Sequence, residues 1–278
     1  MVVFPNCKIN IGLRIGSKRA DGFHNLSTIF IPIPLTDAVE IIPATSANGK
    51  QVIYSQSGIA IDGNDADNLC IKAYYLLQKD FPQLPAVRMH LHKNIPMGAG
   101  LGGGSADASF TLQLLNKQFQ LNLSTTQLID YSLQLGSDCP FFIINKPCIA
   151  TGRGEILEEL LLDLSSYTIM LVNPGIHINT GWAFKQLQLS GTESAPDNLT
   201  AIIKEPIDSW KNDLTNDFEL PVFHLHPEIK KIKEVLYSNG AKYAAMSGSG
   251  STIFGIFEKD CIPTIKFPES YFLKLLQL

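Results

Sequence analysis

The 278-residue sequence predicts an α+β protein, and three observations carry that reading. Residues 87–93 alternate as far as His92, with Val87, Met89 and Leu91 set against Arg88, His90 and His92, the pattern of a half-buried strand. Five glycines within seven residues, Gly98, Gly100, Gly102, Gly103 and Gly104, then run straight into helical periodicity at Ala108, Leu112, Leu115 and Phe119. The second half mixes single helices with short strands, and no internal repeat or low-complexity tract interrupts it.

Taken in order, strands are expected over 39–42 and 51–55, and a helix over 68–79 with Leu69, Ala73, Leu76 and Leu77 on one face. The strand over 87–93 leads into the glycines, and the next helix begins near Gly103 to Ser105. Ser124-Thr-Thr-Gln127 is a capping box that opens a helix through Leu135, with Gly136 as its C′ residue. Asp138 then falls on a turn just beyond a helix end. A strand follows over 167–172, Thr180 caps a helix over 181–189, and 191–198 is a polar loop. Ile229, Ile232, Val235 and Leu236 mark one face of a helix over 228–238, stopped by Asn239-Gly240. Strands over 242–246 and 252–257 flank Ser247-Gly-Ser-Gly250. A soft boundary near 157–166 divides the chain into domains 1–158 and 159–278.

Length permits a core that buries about three quarters of the unfolded surface. Net charge is −4 and the 22 basic residues form no cluster, which removes the electrostatic support nucleic-acid binding needs. With no charged leader ahead of an apolar run and no 18 consecutive apolar residues, the chain reads as soluble and cytoplasmic, with no membrane partner. Five scattered cysteines with no C-x-x-C pair read as reduced thiols. The pairs His90/His92 and His224/His226 have no third ligand at useful spacing, so no metal site is expected; His90 and His92 fit the wet face of a strand.

Glycines directly ahead of a helix make a phosphate cradle, because the first turn offers unpaired N–H groups and the positive end of the helix dipole. Pro96, Met97, Gly98, Ala99, Gly100, Leu101, Gly102, Gly103, Gly104, Ser105 and Ala106 form the candidate loop. It contains G-x-G-x-x-G, yet lacks the preceding apolar strand end and the acid some 20 residues on that a dinucleotide fold requires. No G-x-x-x-x-G-K-[ST] pattern is present.

The stretch from Pro96 to Ser109 resembles the central motif of the GHMP small-molecule kinases, whose glycine loop wraps the phosphates of ATP. Lys8-Ile-Asn10, Lys18-Arg-Ala-Asp-Gly-Phe-His24, Gly136-Ser-Asp-Cys-Pro-Phe141 and Met246-Ser-Gly-Ser-Gly250 stand around it in the order of that family. The combination of K-I-N with K-R-x-D-G-[YF]-H is similar to the member acting on a cytidine-diphosphate-linked methylerythritol. The resemblance implies a two-domain GHMP fold, with an N-terminal domain like domain 2 of ribosomal protein S5, a ferredoxin-like C-terminal domain and the site between them. It implies ATP-dependent phosphorylation of the acceptor's tertiary 2-hydroxyl, in non-mevalonate isoprenoid synthesis, with Mg²⁺ held largely through the ATP phosphates.

The same resemblance assigns the catalytic pair to Lys8 and Asp138; read alone, Lys8 is an ordinary surface lysine and Asp138 an ordinary turn cap. It assigns acceptor binding to Asn10, Phe23, His24, Thr180 and Phe184. Phe23 departs from the usual Tyr, keeping the stacking face and losing the hydroxyl. Phe184 rests on a looser register and read alone is a core aromatic; Thr180 read alone is a helix cap. Thr151-Gly-Arg-Gly-Glu155 reads as a turn without chemistry. Two rivals stay open: a GHMP kinase for mevalonate, homoserine or a sugar, and a catalytically silent nucleotide-binding regulator.

Overall fold

The computed structural model describes residues 1–45, 50–61, 63–187, 199–261 and 263–278; the polar loop expected over 191–198 lies outside the described residues. The strands are β1 (Val2–Val3), β2 (Asn6–Lys18), β3 (His24–Thr36), β4 (Ala38–Pro43), β5 (Val52–Gly58), β6 (Val87–Lys93), β7 (Cys148–Thr151), β8 (Ile156–Glu159), β9 (Tyr167–Asn173), β10 (Tyr243–Met246), β11 (Ile253–Glu258) and β12 (Phe272–Gln277). The helices are α1 (Leu69–Asp80), α2 (Gly103–Gln118), α3 (Thr125–Leu133), α4 (Cys139–Ile144), α5 (Thr180–Gln186), α6 (Leu199–Ile202), α7 (Trp210–Asp213), α8 (Glu219–Leu225) and α9 (Pro227–Ser238). The α+β class expected from the sequence is the class observed.

Two compact units form from interleaved stretches. One comprises Met1–Cys7, Leu35–Met97 and Gly102–Asn145; the other comprises Lys8–Pro34, Gly98–Leu101 and Lys146–Leu278. The expected division between 158 and 159 falls inside the second unit and inside β8, which is paired to β7 from Thr151↔Ile156 to Cys148↔Glu159. A cut there would break a ladder.

In the first unit the sheet runs β1-β4-β6-β5. β6 pairs antiparallel with β4 and parallel with β5, because α1 carries the chain from β5 back to the start of β6. Alternation in β6 buries Val87, Met89 and Leu91 against Tyr74, Leu77, Leu112 and Leu115, and leaves Arg88 and His92 exposed. Asn68 caps α1 through Cys70 N, and Ser124 and Gln127 complete the capping box of α3. α3 stops at Leu133, two residues short of expectation, and Gly136 is not left-handed, so it is not a C′ glycine.

The second unit holds two sheets, β2-β3-β7-β8 and β10-β11-β9-β12. The latter is antiparallel throughout, with α9 laying Ile229, Ile232 and Leu236 on its inner face beside Val172, Ala244, Met246 and Ile253. The pair Met246↔Ile253 closes the loop that carries Ser247-Gly-Ser-Gly250. Among the described residues, no helix is long and apolar enough to cross a membrane, and all five cysteines are free thiols.

Candidate active site

The glycine loop contributes to both units, changing from one to the other between Leu101 and Gly102. In the first unit Gly102 stands at the N-cap of α2 with φ +69°, a left-handed turn that glycine adopts without strain. The first helical bond runs from Ala106 N to Gly102 O at 2.9 Å, so the N–H groups of Gly103, Gly104 and Ser105 stand ahead of the ladder. A Cβ on Gly104 would meet the Met97 thioether methyl at 3.6 Å and Leu69 Cδ1 at 4.0 Å, ordinary van der Waals contacts, so nothing in the fold closes the space above it. Pro96 is partly exposed and Met97 exposed, whereas Ala106 is buried in the helix.

Under this turn lies a buried ion cluster. Lys93, at the end of β6, donates to Asp37 and, at 2.8 Å, to Asp107 on the second turn of α2. The other Asp37 oxygen accepts from Asn94 N (2.6 Å) and Ile95 N (2.8 Å), the residues that lead into the loop. Burial pushes the Asp107 carboxyl up, to about 7, against the pull of Lys93, because a second carboxylate already shares that ammonium. A pocket alongside is lined by Gln56, Asn68, Leu69, Met97, Gly104 and Asp107. The sequence does not signal it, since its walls come from separate segments.

Asp138 occupies the N-cap position of α4, and its side chain makes no cap hydrogen bond to that helix. Its turn is anchored by Cys139 N to Gly136 O at 3.1 Å, and by the Ser109 hydroxyl of α2 donating to Cys139 O at 2.8 Å.

In the second unit, Lys8 is buried to 3% exposure, contrary to its reading as a surface lysine. Its ammonium donates to Asn10 Oδ1 at 2.5 Å and lies 4.7 Å from the Phe30 ring centroid. The Asn10 amide group in turn donates to Thr28 Oγ1 at 3.0 Å, so Asn10 orients the lysine. Gly100 lies against the Ser247-Gly-Ser-Gly250 loop: Ser247 Oγ donates to Gly100 O at 2.8 Å, and a Cβ on Gly100 would fall 1.9 Å from Ser247 O, while Ala99 O accepts from Thr252 N at 3.3 Å. Lys8 N reaches Leu101 O at 3.0 Å. Asn216 holds the far side of the serine loop through Met246 O (2.7 Å) and Gly248 O (2.8 Å), a role the sequence did not signal.

The aromatic residues divide. The His24 ring stacks on Phe184, centroids 5.1 Å apart and planes at 14°, and Phe218 meets Phe184 edge-on. Phe184 is also packed on the core, as its reading as a core aromatic expects. His24 Nδ1 lies 3.3 Å from Gly16 O; a carbonyl can only accept, so Nδ1 donates and Nε2 of the neutral ring is left as an acceptor. Phe23 is half exposed, and the Arg153 guanidinium covers its ring. Thr180 is the first residue of α5 and not its cap, because Asn179 fills that role through Trp182 N at 2.8 Å. The freed Thr180 hydroxyl pairs with Ser249 Oγ at 2.9 Å.

Residues 68–146 match the GHMP kinases N terminal domain and residues 187–261 the GHMP kinases C terminal domain. The 4-diphosphocytidyl-2-C-methyl-D-erythritol kinase of Azobacteroides pseudotrichonymphae is 51% identical over 95% of this chain and 96% of its own. A crystal structure of 4-(cytidine 5'-diphospho)-2C-methyl-D-erythritol kinase superposes with a TM-score of 0.77 at 30% identity, covering 92% of this chain and 89% of that one. The Methanococcus jannaschii mevalonate kinase, at 12% identity and a TM-score of 0.68 over 100% and 98% of the two chains, shares the fold. The chain belongs to the GHMP kinases and, within them, to the 4-diphosphocytidyl-2-C-methyl-D-erythritol kinase family.

Proposed function

We propose that this protein transfers the γ-phosphoryl group of ATP, taken up with Mg²⁺ on its phosphates, to the 2-hydroxyl of 4-diphosphocytidyl-2-C-methyl-D-erythritol. The observation that carries the reading is the open first turn of α2 behind a left-handed Gly102, in a chain whose relatives are kinases named for that acceptor. The phosphates belong on the N–H groups of Gly103, Gly104 and Ser105, and the nucleoside in the pocket lined by Asn68, Met97 and Gly104. The cluster Lys93–Asp37–Asp107 is spent internally, so it steadies the cradle without touching the anion.

Phosphoryl transfer asks chiefly for positioning and charge stabilisation. Asp138 is assigned the proton of the acceptor hydroxyl as the new O–P bond forms and ADP departs with the electrons of the old one. Lys8, its ammonium aimed by Asn10, is assigned the negative charge on the attacking oxygen or the transferring group. Phe23, His24 and Phe184 take the cytosine, with His24 Nε2 accepting from its exocyclic amino group. Thr180 stands beside the serine loop as a donor for the diphosphate or the methylerythritol.

The test is coupled ADP release with four acceptors in parallel. Turnover of the cytidylated methylerythritol is expected, with little on methylerythritol phosphate and none on mevalonate or homoserine. Comparable rates on mevalonate or homoserine would leave only the broader kinase assignment.

A further inference from the structure

The sequence Thr151-Gly-Arg-Gly-Glu155 folds into a turn whose parts all serve to present one side chain. Gly152 and Gly154 take φ of +70° and +104°, and Gly154 N donates to Thr151 O at 3.0 Å. The backbone N–H of Arg153 donates to the Glu155 carboxylate, and Leu26 N donates to Gly152 O at 2.8 Å, pinning the turn to the start of β3. Arg153 is thereby held with its guanidinium 4.7 Å from the centroid of the Phe23 ring. Phe23 itself is fixed at the backbone, Arg19 N donating to its carbonyl at 2.7 Å and Asp21 Oδ1 accepting from its N–H at 3.1 Å. The residue is 49% exposed.

We propose that Arg153 is a positioning residue of the acceptor site: its guanidinium covers one face of Phe23, fixes the plane of that ring and leaves the opposite face to the pyrimidine of the acceptor. The inference rests on the acceptor reading given above. An exposed ring loses rotational freedom when a base stacks on it, and a cation already seated on its other face removes part of that cost. The local charges point to support of the ring and away from a phosphate site. Arg19 is paired with Asp21 at 3.1 Å, and Glu155 Oε1 lies 3.5 Å from Arg153 Nε, so two arginines and two carboxylates cancel.

Calorimetry with cytidine and with cytidine diphosphate, alongside steady-state kinetics, separates the alternatives. Arg153→Ala is expected to weaken both ligands by the same factor, about fivefold, as for one moderately desolvated cation–π contact. KM for the acceptor should rise while kcat and KM for ATP stay unchanged. Arg153→Lys should retain most of the affinity, and in a Phe23→Leu background the Arg153→Ala change should have no further effect. Full-strength binding by Arg153→Ala, a loss confined to the diphosphate, or an equal loss in the Phe23→Leu background would each overturn the proposal. Wild-type protein that binds neither ligand would overturn the acceptor reading itself, and this inference with it. Wild-type binding with an unaffected Arg153→Ala variant removes the inference alone.

Discussion

At the level of single residues, the pair Lys8 and Asn10 carries the clearest demand. An ammonium buried to 3% exposure must find strong partners, and Asn10 supplies one at 2.5 Å. Asn10→Ala removes a hydrogen bond to a charged group, worth about 1.5 to 3 kcal/mol, so kcat should fall by about tenfold to a hundredfold while calorimetry still registers ATP binding. An unchanged kcat would mean that Lys8 needs no aiming. Asp138→Asn should lower kcat by about 10² or more with ATP affinity retained, the range for loss of a general base; turnover within threefold of wild type would remove Asp138 from that role. His24→Ala should raise KM for the cytidylated acceptor and leave KM for ATP in place. It should also erase any preference for cytidine over uridine diphosphate, since Nε2 is the acceptor proposed to tell an amino group from a carbonyl; a preference that survives would assign the discrimination elsewhere. The sequence pointed to all of these residues through motif resemblance, but not to their partners. Nothing in K-I-N says that the asparagine holds the lysine, and nothing in N-T-G-W says that Asn179, not Thr180, caps α5. Both depend on which rotamer wins a local contest for a donor.

At the level of elements, α2 and the glycines before it were legible because their physics is local: periodicity and left-handed φ are written in consecutive residues. β2 was not legible, because it runs largely buried with no wet face to produce alternation, and β3 was not, because Pro32 and Pro34 on its outward positions read against a strand. α4 was read as a turn because Gly136 and Pro140, four residues apart, hide a six-residue helix. Two glycines of the loop make a paired test. A Cβ on Gly104 meets only ordinary van der Waals contacts and its φ lies outside the left-handed region, so Gly104→Val should fold normally and lose ATP binding in calorimetry. Gly100→Ala would drive a methyl into Ser247 O, and a lowered Tm is the expected result there. Retained ATP affinity in Gly104→Val would count against this helix end as the phosphate site. The buried cluster beneath it adds a pH dependence. A carboxyl whose folded pKa is raised to about 7, above the roughly 3.9 of an unfolded Asp, binds a proton in the folded state that the unfolded chain has released. Its contribution therefore favours folding below that window and declines as pH rises through it. Denaturant titrations from pH 5 to 8 should show this slope in wild type and a flatter one in Asp107→Asn; equal slopes would contradict the raised carboxyl.

At the level of the whole molecule, the chain builds two units from interleaved stretches, and the glycine loop is spent on both. A sequence read from end to end suggests one boundary; pairing between β3 and β7, more than a hundred residues apart, moves the ladder of β7 and β8 into the second unit. Family membership was legible because five motifs in fixed order constrain a chain far more than any one of them. The pocket beside α2 and the role of Arg153 depend on long-range placement and became visible only in three dimensions. The central claim concerns one bond, and phosphorus NMR follows it directly. With ATP, Mg²⁺ and 4-diphosphocytidyl-2-C-methyl-D-erythritol, the expected result is loss of the γ-phosphate resonance, appearance of ADP and one new phosphomonoester, and an intact acceptor diphosphate. ATP converted to ADP with only inorganic phosphate released, or no phosphomonoester on this acceptor while mevalonate or homoserine gains one, would contradict it.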